Sequence, residues 1–159
     1  MHIDSKFLLY YSYNLTKIYT TLNLRISRLI VFIQIFLGSS IAINLTVVFP
    51  SINIEHWNLF SGLTIAFVSA LNFVYKFDEN AVLAGQQYKR YKSIISALQA
   101  NSKLNIDSRL KEIEENDIHI YGSLEDIAQK RTQIQLDYDD DIKLNWRKKF
   151  IAFISGESF

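Results

Sequence analysis

The chain has 159 residues, with 17 basic and 16 acidic side chains and a formal net charge of +1. A net charge so close to zero gives no bulk electrostatic reason to expect nucleic-acid binding, and this length suits one domain. The sequence contains no cysteine, which excludes disulfides, thiolate metal sites and a cysteine nucleophile. An intracellular or inner-membrane protein fits this composition.

Residues 1–28 are predicted to form a cytoplasmic amphipathic helix. Their apolar residues recur at helical spacing: Phe7, Leu8, Tyr11, Leu15, Ile18 and Leu22. The segment carries Lys6, Lys17, Arg25 and Arg28 against a single Asp4, and its tyrosines suit a headgroup layer. Two interpretations stay open: the helix lies at a membrane surface, or it packs on other cytoplasmic helices.

The next part of the chain holds two apolar stretches, 29–49 and 57–75, and neither contains a charged residue. A helix needs about 20 mostly apolar residues to cross a hydrocarbon core of roughly 30 Å. We therefore predict transmembrane helix 1 over 29–49 and transmembrane helix 2 over 57–77. The predicted fold class is an all-α membrane protein, a two-span transmembrane helical hairpin with N- and C-terminal cytoplasmic helices.

Two other structures would produce similar apolar stretches. A cleaved signal peptide starts nearer the N-terminus, has a shorter apolar centre and ends in small residues, and the stretch 29–49 has none of these features. A buried helix pair in a soluble protein would need more surrounding chain than this sequence offers. The membrane interpretation is therefore preferred.

Basic residues predict the orientation of the two spans. The segments before the first span and after the second are basic, whereas the predicted external loop 50–56 has no lysine or arginine. Because cytoplasmic flanks carry the excess of positive charge, both termini are expected in the cytoplasm, for a multi-pass protein of an inner membrane. The basic residues expected at the membrane surface are Arg25, Arg28, Lys76, Lys89, Arg90 and Lys92.

Small and polar residues form a stripe on the second predicted span. On a helical wheel, one side carries Asn58, Ser61, Gly62, Ser69 and Asn72, with Ala66 at its margin. Gln34 and Asn44 are more scattered on the first span. The stripe could pack helices together, or it could line a water-filled path. A pore would require several copies, because two helices cannot enclose one.

Residues 78–159 are predicted to form a cytoplasmic helical extension and tail. The period near 3.6 continues to residue 100 without a proline, so the second helix is expected to run past the membrane. A turn at 101–107, a short charged helix and a break at 117–122 follow. Ser123 and Asp126 have the form of a capping box for a helix over 124–136, and an acidic cluster at 137–141 comes next.

The C-terminal tail alternates aromatic and basic residues. Trp146, Phe150 and Phe153 stand among Lys143, Arg147, Lys148 and Lys149. Such a segment could lie at a membrane surface as a basic amphipathic helix. It could equally dock its aromatic face on the cytoplasmic helices.

No arrangement of residues predicts catalysis. The phosphate-binding glycine loops, the zinc protease motif and the nucleophile elbow are all missing from the sequence. His2, His56 and His119 fall in different regions, and the acidic cluster lacks the calcium-loop pattern. We therefore expect a non-enzymatic protein without a cofactor or a metal.

A basic N-terminal helix, a tight two-span hairpin with a basic exit, and the trailing sequence YKRYKSIISAL from Tyr88 to Leu98 together resemble the SLATT proteins. The resemblance covers roughly 16–98. It implies a bacterial two-transmembrane defence effector, of a kind associated with nucleotide-generating and nucleotide-sensing systems and with reverse transcriptases. It identifies no catalytic or ligand residue.

The leading interpretation is a membrane effector of an anti-phage, abortive-infection system. Copies would assemble through the face of Gly62, Ala66 and Ser69, and opening would dissipate ion gradients. The expected partners are the lipid bilayer, further copies of the chain, and a regulatory protein or nucleotide second messenger from a neighbouring gene, with no direct nucleic-acid binding. The alternatives are a phage holin-like lysis protein and a membrane-anchored scaffold for a protein partner.

Overall fold

The computed structural model describes residues 4–43, 53–100, 105–114, 120, 122–139 and 142–159, and regular secondary structure in these ranges is entirely helical. The helices are α1 (Ser5–Ala42), α2 (Ile54–Tyr75), α3 (Phe77–Ala100), α4 (Ile106–Glu114), α5 (Glu125–Gln135) and α6 (Trp146–Ile154), with a 3₁₀ turn at Gly122–Leu124. The predicted all-helical class is therefore confirmed.

Helix α1 continues without interruption through the boundary that the sequence suggested at residue 28. Its 38 residues include both the predicted amphipathic helix and the first part of the first apolar stretch. No proline falls in this range, and the only glycine is Gly38, so no residue favours an earlier stop. Residues 44–49 of the predicted span lie outside the described residues.

Helix α2 begins three residues earlier than predicted, within the stretch assigned to the loop. The side chain of Asn53 caps it, since Asn53 Oδ1 accepts hydrogen bonds from the backbone N–H groups of Glu55 (3.0 Å) and His56 (3.3 Å). This cap satisfies donors that the first helical turn leaves unpaired. Glu55 in the first turn also favours the start through the helix dipole.

The helical extension past the second apolar stretch is present, but it is not one continuous helix. Lys76 adopts a left-handed conformation (φ 47°, ψ 49°), and its N–H donates to the carbonyl of Asn72 at 2.8 Å. This backbone conformation costs a non-glycine residue about 1–2 kcal/mol. Since Lys76 is neither glycine nor asparagine, the break between α2 and α3 could not be predicted from the residue type at this position.

The chain divides into two compact units. One, here called the core unit, contains Met1–Asn23 and Glu79–Phe159; the other, here called the helix-pair unit, is Leu24–Asp78. The division places the N-terminal half of α1 in the core unit and its C-terminal half in the helix-pair unit. The two units are therefore described separately below.

The core unit has two hydrophobic clusters, and the N-terminal half of α1 contributes to both. The first cluster joins α1, α3, α5 and α6 through residues that include Ile18, Ala84, Ile127 and Ala152. The second joins α1, α3 and α4 through residues that include Leu9, Tyr91 and Leu110. Of the two interpretations left open for residues 1–28, the structure thus supports packing on other helices.

The short C-terminal helices agree with the sequence except in their capping. Helix α5 begins and ends within one residue of the predicted 124–136. The predicted capping box at Ser123 and Asp126 is wrong, because Leu124 occupies the N-cap position and no side chain caps the helix. Ser123 lies instead in the preceding 3₁₀ turn.

Several predicted segments fall partly outside the described residues. They are the turn at 101–107, the break at 117–122, the loop at 50–56 and the acidic cluster at 137–141. Within the predicted turn, α4 already begins at Ile106.

Candidate membrane-spanning helices

Helices α1 and α2 contact each other through polar side chains inside the helix-pair unit. Gln34 Nε2 donates to Ser69 Oγ at 2.8 Å, and Ser69 Oγ donates in turn to the carbonyl of Ile65 at 2.7 Å. Trp57 Nε1 donates to Ser40 Oγ at 3.1 Å. These bonds satisfy an amide, two hydroxyls and an indole within the pair.

A third polar contact joins the first turn of the unit's part of α1 to Asp78, the last residue of the helix-pair unit. Ser27 Oγ donates to the carboxylate of Asp78, which follows α2 after the break at Lys76. Sequence analysis did not single out Ser27 or Asp78, and it treated Ser40 only as one of the scattered polar residues of the first span. Ser27 and Ser40 lie on a seam of buried or half-buried α1 residues that repeats at steps of three or four residues: Asn23, Ser27, Ile30, Gln34, Leu37 and Ser40. This spacing is the signal that could have found them.

Apolar side chains of the two helices point outward. Phe73 is 83% exposed, and the exposed set continues with Phe32, Ile35, Phe36, Leu59, Phe60, Leu63, Phe67 and Val74. In the most apolar 18-residue windows of the two long helical stretches, only 17% and 6% of residues are buried. The core helices of a soluble protein would be mostly buried. The two stretches are instead largely exposed, and they are long and apolar enough to cross a membrane.

The predicted polar stripe divides into two parts. Ser61 is fully buried, and Ser69 and Asn72 are half-buried on the side of α2 that meets α1. Asn58, Gly62 and Ala66 are exposed. A Cβ atom added at Gly62 would meet nothing within 4 Å, so contact with α1 does not require a glycine there.

Two polar atoms of this inner side lack a hydrogen-bond partner among the described residues. They are Ser61 Oγ and Asn72 Oδ1, both shielded from solvent. A buried polar group without a partner costs about 1–3 kcal/mol. The observed arrangement of α1 and α2 therefore carries a polar cost that a hydrated arrangement would relieve.

The remaining predicted residues are placed as follows. Gln34 belongs to the inner contact with Ser69, and Asn44 lies outside the described residues. The predicted surface cations Arg25, Arg28, Lys76, Lys89, Arg90 and Lys92 are all exposed. The first three of these belong to the helix-pair unit and the other three to the core unit.

The core unit contains a buried carboxylate that sequence analysis missed. Glu157 Oε1 lies 2.9 Å from Lys17 Nζ and Glu157 Oε2 lies 3.3 Å from Arg131 Nε, while the Glu157 side chain is only 4% exposed. The three residues lie on α1, on α5 and just after α6. Their attraction therefore holds three parts of the chain together.

A turn at the end of α6 directs Glu157 inward. The N–H of Gly156 donates to the carbonyl of Phe153 at 3.1 Å, and the N–H of Glu157 donates to the carbonyl of Ala152 at 2.9 Å. Gly156 has φ 86°, as expected of a glycine that ends a helix in a Schellman motif. A glycine two residues after Ile154, where the apolar pattern of α6 ends, was the available signal.

Two tyrosines of α1 in the core unit have shifted pKa values. Burial, with added repulsion from Glu125 and Asp126, raises the pKa of Tyr11 to about 12. Burial, together with the hydrogen bond to Tyr88 (3.3 Å between the hydroxyl oxygens), raises the pKa of Tyr13 to about 12. Both groups therefore stay neutral at physiological pH.

The described residues show no group of three or more potential metal ligands among histidine, cysteine, aspartate and glutamate. His56 is exposed on α2, while His2 and His119 lie outside the described ranges. Comparison of the chain with family models, with curated proteins and with solved structures gave no match.

Proposed function

We propose that this chain is a non-enzymatic, multi-pass membrane protein that forms homo-oligomers and lets ions leak across a bacterial inner membrane when it is triggered. One observation carries the proposal: α1 and α2 turn aromatic and aliphatic side chains outward and pair polar side chains inside. In lipid this arrangement is favourable, because apolar surface needs no cover and polar groups must be satisfied internally.

A two-span hairpin accounts for the register of the contacts between the helices. From Ser27 to Gln34 to Ser40 along α1, the partners run backward from Asp78 to Ser69 to Trp57. Such a reversed order is that of antiparallel helices. The apolar part of each helix would then cross the bilayer, joined by the predicted external loop 50–56.

The distribution of positive charge supports a cytoplasmic location of both termini. Arg25 and Arg28 are exposed before the apolar part of α1, and Lys76 is exposed directly after α2. Lysine and arginine are retained on the cytoplasmic side of spans, and the segment 50–56 contains neither.

The exposed part of the polar stripe is the proposed assembly surface. Gly62 and Ala66 are four residues apart and exposed, as are Asn58 and Ala70 one turn to either side. Small residues at this spacing let helix backbones approach closely in membranes. Ser69, which the sequence placed on this surface, is already bonded to Gln34 within the chain, so the assembly surface is moved to Asn58, Gly62 and Ala66.

Ser61 and Asn72 support the opening step. Their unpartnered oxygens cost free energy while α1 and α2 are in dry contact, and water would supply the missing hydrogen bonds. A rearrangement that turned these residues toward an aqueous path between copies would remove that cost. The described structure would then correspond to the closed state.

The biological setting rests on the SLATT resemblance. In this proposal the protein stops the growth of an infected cell by depolarising its membrane, and a regulatory protein or a nucleotide second messenger from a neighbouring gene provides the trigger. A holin-like lysis protein would share the leak but would act together with a muralytic enzyme. A scaffold would use the hairpin only as an anchor and would leave the membrane potential unchanged.

The test is membrane potential in live bacteria, measured with a potential-sensitive dye after controlled induction, with and without the neighbouring genes and an infecting phage. We expect depolarisation before growth arrest. Gly62→Leu should abolish it, because a larger side chain blocks the close approach of copies. Phe67→Trp enlarges an exposed side chain that lies roughly 140° around α2 from Gly62; it is the matched control and should depolarise like the original chain.

Two results would contradict the proposal. One is an unchanged potential under every condition, with the protein present in the membrane at normal amount, which would indicate an anchor. The other is equal depolarisation by Gly62→Leu, Phe67→Trp and the original chain, which would mean that the exposed stripe does not mediate assembly.

A further inference from the structure

Helix α6 is fixed to the core unit by one of its faces. Ala152 is buried and Ile151 packs against the first hydrophobic cluster. Lys148 forms an ion pair with Asp126 of α5, and Asn145 caps the helix by accepting from the N–H of Lys148 at 2.9 Å. These contacts determine which side of α6 faces the protein.

The opposite face of α6 is aromatic and exposed. Trp146 is 74% exposed and Phe150 is 59% exposed, although both are large apolar residues. Phe153, one turn further along the same side, is also exposed. An aromatic cluster on the surface of a protein marks an interaction site more often than chance.

Positive charge borders this aromatic face on both sides. Arg147 lies 5.5 Å from the centre of the Trp146 ring, and Arg147 and Lys149 are exposed on opposite flanks of the face. Lys143 is exposed just before the helix. Helix α6 contains no acidic residue, and the nearest glutamate in sequence, Glu157, is buried against Lys17 and Arg131.

Contacts at both ends of α6 keep this aromatic face turned outward. The turn at Gly156 and the ion pairs of Glu157 hold the C-terminal end of the helix, while Lys148 and Asn145 hold its first turn. Rotation of α6 to bury Trp146 and Phe150 would break the contacts of both ends. Of the two arrangements left open by the sequence, docking of the aromatic face on the cytoplasmic helices is therefore not the one observed.

We propose that the aromatic face of α6, formed by Trp146, Phe150 and Phe153 with Arg147 and Lys149 at its edges, binds an anionic lipid surface. Tryptophan and phenylalanine insert at the headgroup level of a bilayer, and flanking lysine and arginine attract anionic headgroups. A cationic rim without carboxylates matches such a surface. This binding is independent of ion leakage and would hold even if the chain only anchored another protein.

The experiment uses the full chain reconstituted in lipid vesicles, with Trp57→Phe so that Trp146 is the only tryptophan. The vesicles contain phosphatidylcholine alone or with 30% phosphatidylglycerol, and a brominated phosphatidylcholine quenches tryptophan that enters the bilayer. We expect strong quenching of Trp146 in the anionic vesicles and weaker quenching in the neutral ones. Each basic residue near an anionic membrane surface raises the binding constant about fivefold.

Two double variants with the same change of net charge make the test specific. Arg147→Gln with Lys149→Gln should bring the quenching in anionic vesicles down to that in neutral ones. Arg109→Gln with Lys111→Gln alters exposed residues of α4 in the same unit and should leave the quenching unchanged. Phe150→Ala should reduce quenching in both kinds of vesicle, because it removes apolar contact.

Three results would overturn the proposal. If Trp146 is accessible to aqueous iodide and unquenched by brominated lipid in both vesicles, the face does not touch the bilayer. If it is protected from both quenchers, a second copy or a protein covers it. If the two double variants reduce quenching equally, the effect of charge is not local to α6.

Discussion

In the core unit, Leu9, Ile18 and Ile127 are fully buried, whereas in the helix-pair unit Ser61 is fully buried and Phe67 is exposed. In the core unit apolar surface leaves water by packing inside the protein. In the helix-pair unit the apolar faces point outward, which is the arrangement expected of helices in lipid, where polar groups must be satisfied internally. With the helix pair in lipid, as we propose, one rule accounts for both arrangements: apolar surface leaves water.

Charge inside the two units also differs. The core unit holds a carboxylate, Glu157, between two cations. In the helix-pair unit the two apolar stretches have no charge at all, and the contacts within them join neutral side chains such as Gln34 and Ser69. The carboxylate of Asp78, which contacts Ser27, lies beyond these stretches. Substitutions in each unit test this contrast.

Replacing the buried carboxylate should destabilise the core unit most. Glu157→Gln leaves Lys17 and Arg131 without their partner. Because these two cations are more than a third exposed and keep part of their hydration, we expect a cost of about 3 kcal/mol, the lower end of the range for breaking a buried ion pair. We expect a clear fall in the Tm of the purified protein in detergent and faster proteolysis of α6. The control is Glu112→Gln, which disrupts an exposed pair with Arg109 and should cost less than about 1 kcal/mol. Equal effects of the two variants would contradict the role given to Glu157.

A charge on the outer face of the helix pair should prevent insertion into the membrane. Leu63 is exposed near the middle of α2, and a lysine at the centre of a membrane helix costs about 2.5–3.5 kcal/mol. In cell fractionation, Leu63→Lys should therefore be depleted from the membrane. Gln86→Lys adds the same charge at an exposed position of α3 in the core unit and should stay in the membrane. A folded, water-soluble Leu63→Lys protein would indicate that lipid is not the solvent of α2.

Removal of a buried hydroxyl should stabilise the helix pair. Ser61 Oγ has no partner among the described residues, so Ser61→Ala should increase the free energy of unfolding by about 1–3 kcal/mol. Unfolding in mixed micelles with increasing denaturing detergent measures this. Thr64→Ala removes a hydroxyl that donates to the carbonyl of Phe60 at 2.8 Å and should not stabilise. Destabilisation by Ser61→Ala would mean that its hydroxyl has a partner, such as water, in the membrane.

Alkaline pH should weaken the core unit only slightly. Folding raises the pKa of Tyr11 and Tyr13 from 10 to about 12, so the folded state holds their protons more tightly than the unfolded state does. The resulting stabilisation is complete below pH 10 and is lost as the pH rises from 10 to 12. The Tm should thus fall between pH 10 and pH 12, and it should fall less in Tyr13→Phe. An equal fall of the Tm in the original chain and in Tyr13→Phe would show that ionisation of Tyr13 does not contribute to the loss of stability.

Much of the helix content could be predicted from the sequence because it depends on local patterns. The charge-free stretches identified the apolar part of α1 and α2, and the helix predicted over 124–136 agrees with α5 to within one residue at each end, although the capping box from which it was predicted is not formed. The break at Lys76 could not be predicted, because a left-handed lysine is stabilised by its surroundings and not by its own preference. Continuity of α1 through residue 28 was missed because the change in composition there was taken for a boundary.

The inner and outer parts of the polar stripe could not be separated from the sequence. A helical wheel places Ser61, Gly62 and Ser69 on the same broad side. Only the partner helix decides that Ser61 and Ser69 face α1 and that Gly62 stays exposed. The buried Glu157 was missed for a similar reason, since its partners lie 140 positions away at Lys17 and on α5 at Arg131.

The central claim is that the helix pair spans a membrane with both termini on the cytoplasmic side. Because the chain has no cysteine, single cysteines can report on each side. Ser51→Cys lies in the predicted external loop, and Ser158→Cys is at an exposed position near the C-terminus. With a membrane-impermeant maleimide on intact spheroplasts, the account predicts labelling of Ser51→Cys at once and of Ser158→Cys only after permeabilisation. Labelling of neither before permeabilisation, or of both, would contradict it.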